Sequence, residues 1–189
     1  MTKLAIDLTF QPVGGSLAQI KEIINDVHFF NFDNVIFYLT SENTYLFDGI
    51  VSDKIILNTV PFSTKSVIIR TIWSQFFLPI SLVQNNVDVL FCPGNISPII
   101  NSKKKVQWIG TVGPFEKNFI SSFALKEKII LQVTKYLMIF SSLTSDIVIF
   151  ESNYTRDLFV IKYRQKLEKS AVLHIGNDVF FQSDNVNSS

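Results

Sequence analysis

Leu4-Ala-Ile-Asp-Leu-Thr-Phe10, Gln11-Pro-Val-Gly-Gly-Ser16 and the stretch from Leu17 to Val27 decide the fold. A short apolar run stops at a Pro/Gly turn and passes into a helical pattern, which is a strand–loop–helix unit. The same kind of run returns as Val35-Ile-Phe-Tyr-Leu39, Ile55-Ile-Leu57, Val87-Asp-Val-Leu-Phe91, Val106-Gln-Trp-Ile109, Ile147-Val-Ile-Phe150 and Ala171-Val-Leu-His-Ile175. Such runs read as strands buried on both faces of a parallel sheet. Helical patterns between several of them predict βαβ units with right-handed crossovers. The expected fold is α/β: a doubly wound, three-layer sandwich on a mainly parallel sheet of about seven strands.

Two longer patterns predict helices. From Lys65 to Val83, residues Ile69, Ile72, Trp73, Phe76, Ile80 and Val83 form one stripe, and Pro79 is expected to kink or end the first segment. From Ser121 to Ser141, Leu125, Ile129, Val133, Tyr136 and Phe140 share one side, with Lys126, Lys128 and Lys135 leaving another side partly polar. A helix at a membrane surface has the same pattern as one facing a core, and the core-facing reading is preferred. Both stretches are interrupted by Arg70 or Lys135, so neither reads as a transmembrane span.

Composition narrows the function classes. The chain has 189 residues, 47% of them hydrophobic, enough for one domain with a full core. Residues 1–181 are assigned to that domain and 182–189 to a polar tail or the start of an interdomain linker. Charged residues make up 17%, below the roughly 25% of typical soluble domains, and Phe occurs 18 times. This points to apolar surface left for an interaction, or to drift towards A/T-rich codons. A net charge of +1 gives no basic field for nucleic acid, and the triplet Lys103-Lys-Lys105 reads as a solvated loop. Cys92 is alone and only His28 and His174 are present, so neither a disulfide framework nor a zinc site is expected. Met1-Thr-Lys3 runs straight into a strand without a signal-peptide pattern, so a cytoplasmic location is expected.

In a parallel sheet ligands bind outside the carboxyl ends of the strands, so the loops that follow strands carry the function. Gly14-Gly15-Ser16 lets a phosphate or sugar approach backbone N–H groups at a helix start, or simply permits a tight turn. The dinucleotide pattern G-x-G-x-x-G is not met, although Glu42 stands where a ribose-binding acid would. Cys92-Pro-Gly-Asn-Ile-Ser-Pro98 offers Asn95 and Ser97 as hydrogen-bonding groups or turn formers, and Gly110-Thr-Val-Gly-Pro-Phe115 shapes a pocket or merely connects. Ser152 reads as a helix N-cap, with Arg156 one turn on facing an anion or solvent. Glu116 and Glu151 stand near the same rim and read as surface carboxylates, and His174 as a packed strand residue. Neither a Ser/His/Asp arrangement nor a pair of carboxylates at a telling spacing is present.

Taken in order, Gly14-Gly15-Ser16, Trp73-Ser-Gln75 with Leu78-Pro79, Asp88-Val-Leu-Phe-Cys-Pro-Gly-Asn95, Gly113-Pro-Phe-Glu116, Ser145-Asp-Ile-Val-Ile-Phe-Glu-Ser152 with Arg156, and Val172-Leu-His-Ile-Gly-Asn-Asp178 resemble the N-terminal domain of family 4 glycosyltransferases. The resemblance implies a Rossmann-like domain forming one half of a GT-B architecture, whose other half binds the nucleotide-sugar donor. It implies a retaining, metal-independent hexosyltransferase needing no cofactor beyond the donor itself. The donor diphosphate would lie at Gly14, Gly15 and Ser16, and a glycan or lipid-linked acceptor at Asn95, Gly110, Thr111, Ser152 and Arg156. Many relatives carry His or Asn where this chain has Gly110-Thr111. The donor-binding domain with its paired glutamates is not within these residues, so a C-terminal domain or separate subunit is the expected partner and transfer by this chain alone is not expected. Lipid-linked acceptors would bring it to the inner face of the membrane. Two other readings stand beside this one: a non-catalytic glycan- or partner-binding module, and a dinucleotide-dependent Rossmann enzyme.

Overall fold

The computed structural model describes residues 1–63, 66–100, 103–162 and 169–173, and in it seven strands form one all-parallel sheet. These are β1 (Lys3–Leu8), β2 (Asn34–Thr40), β3 (Ile55–Val60), β4 (Val89–Cys92), β5 (Lys104–Ile109), β6 (Ile147–Phe150) and β7 (Ser170–Val172). Their order is β3-β2-β1-β4-β5-β6-β7. The direction of winding reverses between β1 and β4, and a crevice at the strands' carboxyl ends opens at such a reversal.

Strand register sorts the core into two layers. Leu4, Ile6 and Leu8 lie beside Val35, Phe37 and Leu39, and this face is covered by Ile20 and Ile24 of helix α1 (Gly15–Asn25). Ala5 pairs with Ile36 and Leu90, putting them on the opposite face under Leu78 and Leu82 of α3 (Leu78–Gln84). Along the same face Ile109, Val148 and Phe150 pack against Met138 and Ile139 of α5 (Leu125–Leu143). The sheet therefore has helices on both sides, as the sequence predicts. The inner strands β1 and β2 are buried on both faces, whereas the edge strands β3 and β7 are largely exposed. An edge has a neighbour on one side only, which a β-branched run does not reveal. His174, Gly176 to Asp178 and the polar tail lie outside the described residues.

The two predicted helical stripes face the wrong way for a core. In 67–84 the chain runs through α2 (Val67–Ile72), a π-helical turn at Trp73–Phe77 and α3. Pro79 sits in the first turn of α3, where its missing N–H costs little, so it starts a segment rather than breaking the helix. Ile69, Ile72, Phe76, Ile80 and Val83 are all about half exposed or more, whereas Trp73 of the same stripe packs on the core and Ser74, Leu78 and Leu82 are buried. This stretch has the length and composition of a membrane span, yet those inward residues make it the crossover helix of the sheet. α5 begins at Leu125, after a short α4 (Lys117–Ser121), rather than at Ser121. Its stripe of Leu125, Ile129, Val133, Tyr136 and Phe140 is exposed, and the core-facing reading is corrected.

The reason lies beneath α5, where the sheet is polar. Lys105, expected in a solvated loop, is a buried β5 residue whose ammonium donates to the Pro98 carbonyl and, at 2.8 Å, to Thr144 Oγ1. Gln107 donates to Ser141 Oγ at 2.9 Å and accepts from Ser145 Oγ at 3.1 Å. A helix covering such a seam turns Ser141 inward beside Met138 and Ile139 and leaves the predicted stripe outside.

Candidate functional site

Three strand-following loops meet at the rim above β1, β4 and β5. In the first, Gly14 has φ of 55°, a conformation that favours glycine, and its carbonyl accepts from Leu17 N at 3.1 Å to open α1. Ser16 Oγ accepts from Val13 N at 3.0 Å and donates to Val13 O at 2.8 Å, so its hydroxyl closes the turn. In the second loop, Asn95 has φ of 69° and links two loops at once. Its Oδ1 accepts from Gly110 N at 2.8 Å and Thr111 N at 3.1 Å, while its carbonyl accepts from Gln107 Nε2 at 2.7 Å. The N–H groups of Gly110 and Thr111 are thus used within the protein. Gln75 holds the same loop from below, donating to Ser97 O at 3.1 Å and accepting from Ile99 N at 2.9 Å.

Glu151 completes the rim. The Trp108 indole donates to its Oε1 at 3.1 Å, and the carboxylate lies over Gly110 so closely that a Cβ there would be 2.2 Å from Oε1. Gly110 is therefore a requirement of close approach rather than of backbone angle. Glu116, the other rim carboxylate, accepts from the exposed Tyr154 hydroxyl at 2.6 Å, which raises the Tyr154 pKa.

A cavity of about 370 Å³ is lined by Gly15, Ser16, Asn95, Gly110, Thr111 and Glu151, together with side chains of the first loop and α1. Five of the eight residues assigned a binding role from the sequence are thereby brought together. Gly14, Ser152 and Arg156 do not line it. Ser152 is an N-cap, its Oγ accepting from Thr155 N at 3.1 Å at the start of α6 (Asn153–Asp157). Arg156 is paired with Asp157 at 2.9 Å, which draws its charge to a neighbour in the chain. Glu42, on the turn after β2, does not line the cavity either.

Asp7 and Arg70 escaped the sequence reading. They share a small depression beside this cavity with Thr9, Phe10 and Ser74. Asp7 Oδ1 accepts from Thr9 N at 3.0 Å and Thr9 Oγ1 at 2.7 Å. Burial pushes the Asp7 carboxyl above its ordinary pKa, against the smaller opposing effects of these bonds and of the Arg70 guanidinium. The available signal was a carboxylate interrupting an apolar strand near its carboxyl end. Among the described residues no group of three or more His, Cys, Asp and Glu is placed to hold a metal ion.

No family model and no curated protein sequence matches the chain. Its fold does match solved structures. Phytolacca americana UGT2 complexed with UDP-2fluoro-glucose and pterostilbene superposes with a TM-score of 0.56 at 10% identity, over 94% of this chain and 54% of that one. A UDP-glucose: anthocyanidin 3-O-glucosyltransferase in complex with UDP gives 0.55 at 13% identity, over 94% of this chain and 53% of that one. The chain spans about half the length of each. At this identity the likeness shows the fold alone: the Rossmann-like α/β fold of one half of a GT-B architecture.

Proposed function

We propose that this chain is the acceptor-side, N-terminal half of a nucleotide-sugar-dependent glycosyltransferase of the family 4 type. The observation that carries the reading is the meeting of Gly15, Ser16, Asn95, Gly110 and Thr111 around one cavity at the winding reversal of the sheet. Solved proteins of the same fold whose complexes hold UDP or a UDP-sugar support it. The donor would approach over the α1 start, where Gly15 is exposed and its surroundings are open, and a second α/β domain would supply most of its contacts. Stabilising the departing diphosphate would supply much of the catalysis, without a bound metal or other cofactor. Retention of configuration, a hexose-like donor and a glycan or lipid-linked acceptor follow from the family 4 resemblance. A cytoplasmic site at the inner membrane face is part of the same reading, supported by the exposed apolar sides of α2, α3 and α5.

The test is sugar incorporation. The chain is co-produced with a candidate donor-binding α/β domain and supplied with labelled nucleotide sugars and membrane extract. Incorporation that depends on both parts, with the donor's anomeric configuration kept in the product, is the expected result. No incorporation, together with a thermal shift on adding nicotinamide dinucleotide, would replace this reading by the dinucleotide-dependent enzyme.

A further inference from the structure

The cavity wall carries three polar atoms that the fold leaves unused. Glu151 uses Oε1 for the Trp108 indole, and its Oε2 has no partner among the described residues. Asn95 spends its Oδ1 on two backbone N–H groups, leaving its amide nitrogen over. Gln19 Nε2, from α1, is buried without a partner in the same wall. A buried donor left unmet costs free energy that a bound group can recover. Among the described residues no Lys or Arg lines the cavity, and Glu151 is the one lining residue with a formal charge.

Two donors and one anionic acceptor around an apolar floor of Phe10, Ile20 and Pro93 match a ring bearing neighbouring hydroxyls. Each hydroxyl both donates and accepts, and a hydroxyl donating to a carboxylate makes a charge-assisted bond. A phosphate placed beside Glu151 would meet the carboxylate with no Lys or Arg among the described lining residues to offset it. We infer that this cavity is a subsite for a neutral, polyhydroxylated sugar unit, with Glu151 as the specificity-determining residue that accepts from its hydroxyls and excludes phosphorylated sugars.

The inference rests on the glycosyltransferase reading for its biological setting and deepens it: the acceptor would present an uncharged sugar beside Glu151, and the donor diphosphate would keep to the edge formed by the α1 start at Gly15 and Ser16. Gly110 and Trp108 act through Glu151, the first by giving it room and the second by orienting it.

The indole N–H of Trp108 reports directly on this contact. The whole chain contains two Trp, so a ¹⁵N spectrum has two indole signals, assigned with Trp108→Phe. Titration with methyl β-D-glucopyranoside is expected to shift the Trp108 signal saturably, and glucose 6-phosphate to leave it unmoved. Glu151→Gln, which keeps an oxygen for the indole, is expected to weaken the glycoside about tenfold and to narrow the preference over the phosphate. Glu151→Ala is expected to abolish the shift, with retained chemical-shift dispersion reporting a folded chain. Equal binding of glucose 6-phosphate by the unaltered chain, unchanged glycoside affinity in Glu151→Gln, or no response of Trp108 to either sugar would each overturn the assignment. The incorporation assay reads the glycosyltransferase reading separately, so incorporation without a Trp108 response rejects this subsite alone.

Discussion

Gly110 lacks a side chain where the Glu151 carboxylate lies, and that pairing makes a testable claim about single residues. In Gly110→Ala the new methyl displaces a flexible side chain end rather than backbone, so the fold is kept. The Trp108–Glu151 bond should be lost, seen as a moved Trp108 indole signal, with stability lowered by about 1 kcal/mol in denaturant titration. Asp7 makes the opposite case. Asp7→Asn preserves an oxygen for Thr9 while removing a buried charge, so it should raise stability at pH 7. Because the folded carboxyl has a raised pKa, its ionisation costs the native state stability as pH rises. The gain in Asp7→Asn should therefore shrink as pH falls through that pKa, as thermal melts from pH 7 to pH 4 would report. A gain independent of pH would mean that burial of the charge is not its source.

At the scale of elements, the polar seam under α5 fixes the rim loops. Lys105, Gln107 and Gln75 each bond to a backbone group of the loop after β4, and Gln107 reaches the carbonyl of Asn95. Burial lowers the Lys105 pKa to about 8. The unfolded chain, with an ordinary lysine, holds its proton up to a higher pH, so between about pH 8 and the ordinary lysine value the native state gains stability as pH rises. The stability of the unaltered chain relative to Lys105→Met should accordingly rise by roughly 2 kcal/mol between pH 7.5 and pH 10, at about 1.4 kcal/mol per pKa unit. A difference constant across that range would contradict the buried charge. The seam also explains why periodicity misled: Gln107 is met by Ser141 of α5 and Lys105 by Thr144 just after it, so the apolar stripe of α5 is left on the outer surface.

For the whole molecule, α2, α3 and α5 lie on one side of the sheet, and all three present apolar residues outward. Exposed apolar surface of this kind marks a contact with another protein or with lipid. If the contact is lipid, as proposed, the chain should co-sediment with vesicles containing anionic lipid, and Phe76→Asp with Ile129→Asp should reduce the bound fraction several-fold. Both positions are solvent-exposed, so melting temperature should change little. Vesicle binding unaltered by the pair would move the contact elsewhere.

Strand positions, the doubly wound fold class and the three rim loops were legible in the sequence because each depends on neighbours in the chain: apolar runs, turn residues and helix starts. Gly15, Ser16, Asn95, Gly110 and Thr111 could be singled out for the same reason, as loop residues that follow strands. Only the tertiary structure decided which loops share a cavity, that Ser16, Gly110 and Thr111 spend polar groups on the fold, and that Glu151 rather than Arg156 faces the cavity. It also decided which side of each apolar helix meets the sheet. These outcomes depend on pairings between residues far apart in sequence, such as Glu151 with Trp108 and Gln107 with Ser141, and a local pattern carries no information about a partner that the fold brings to it.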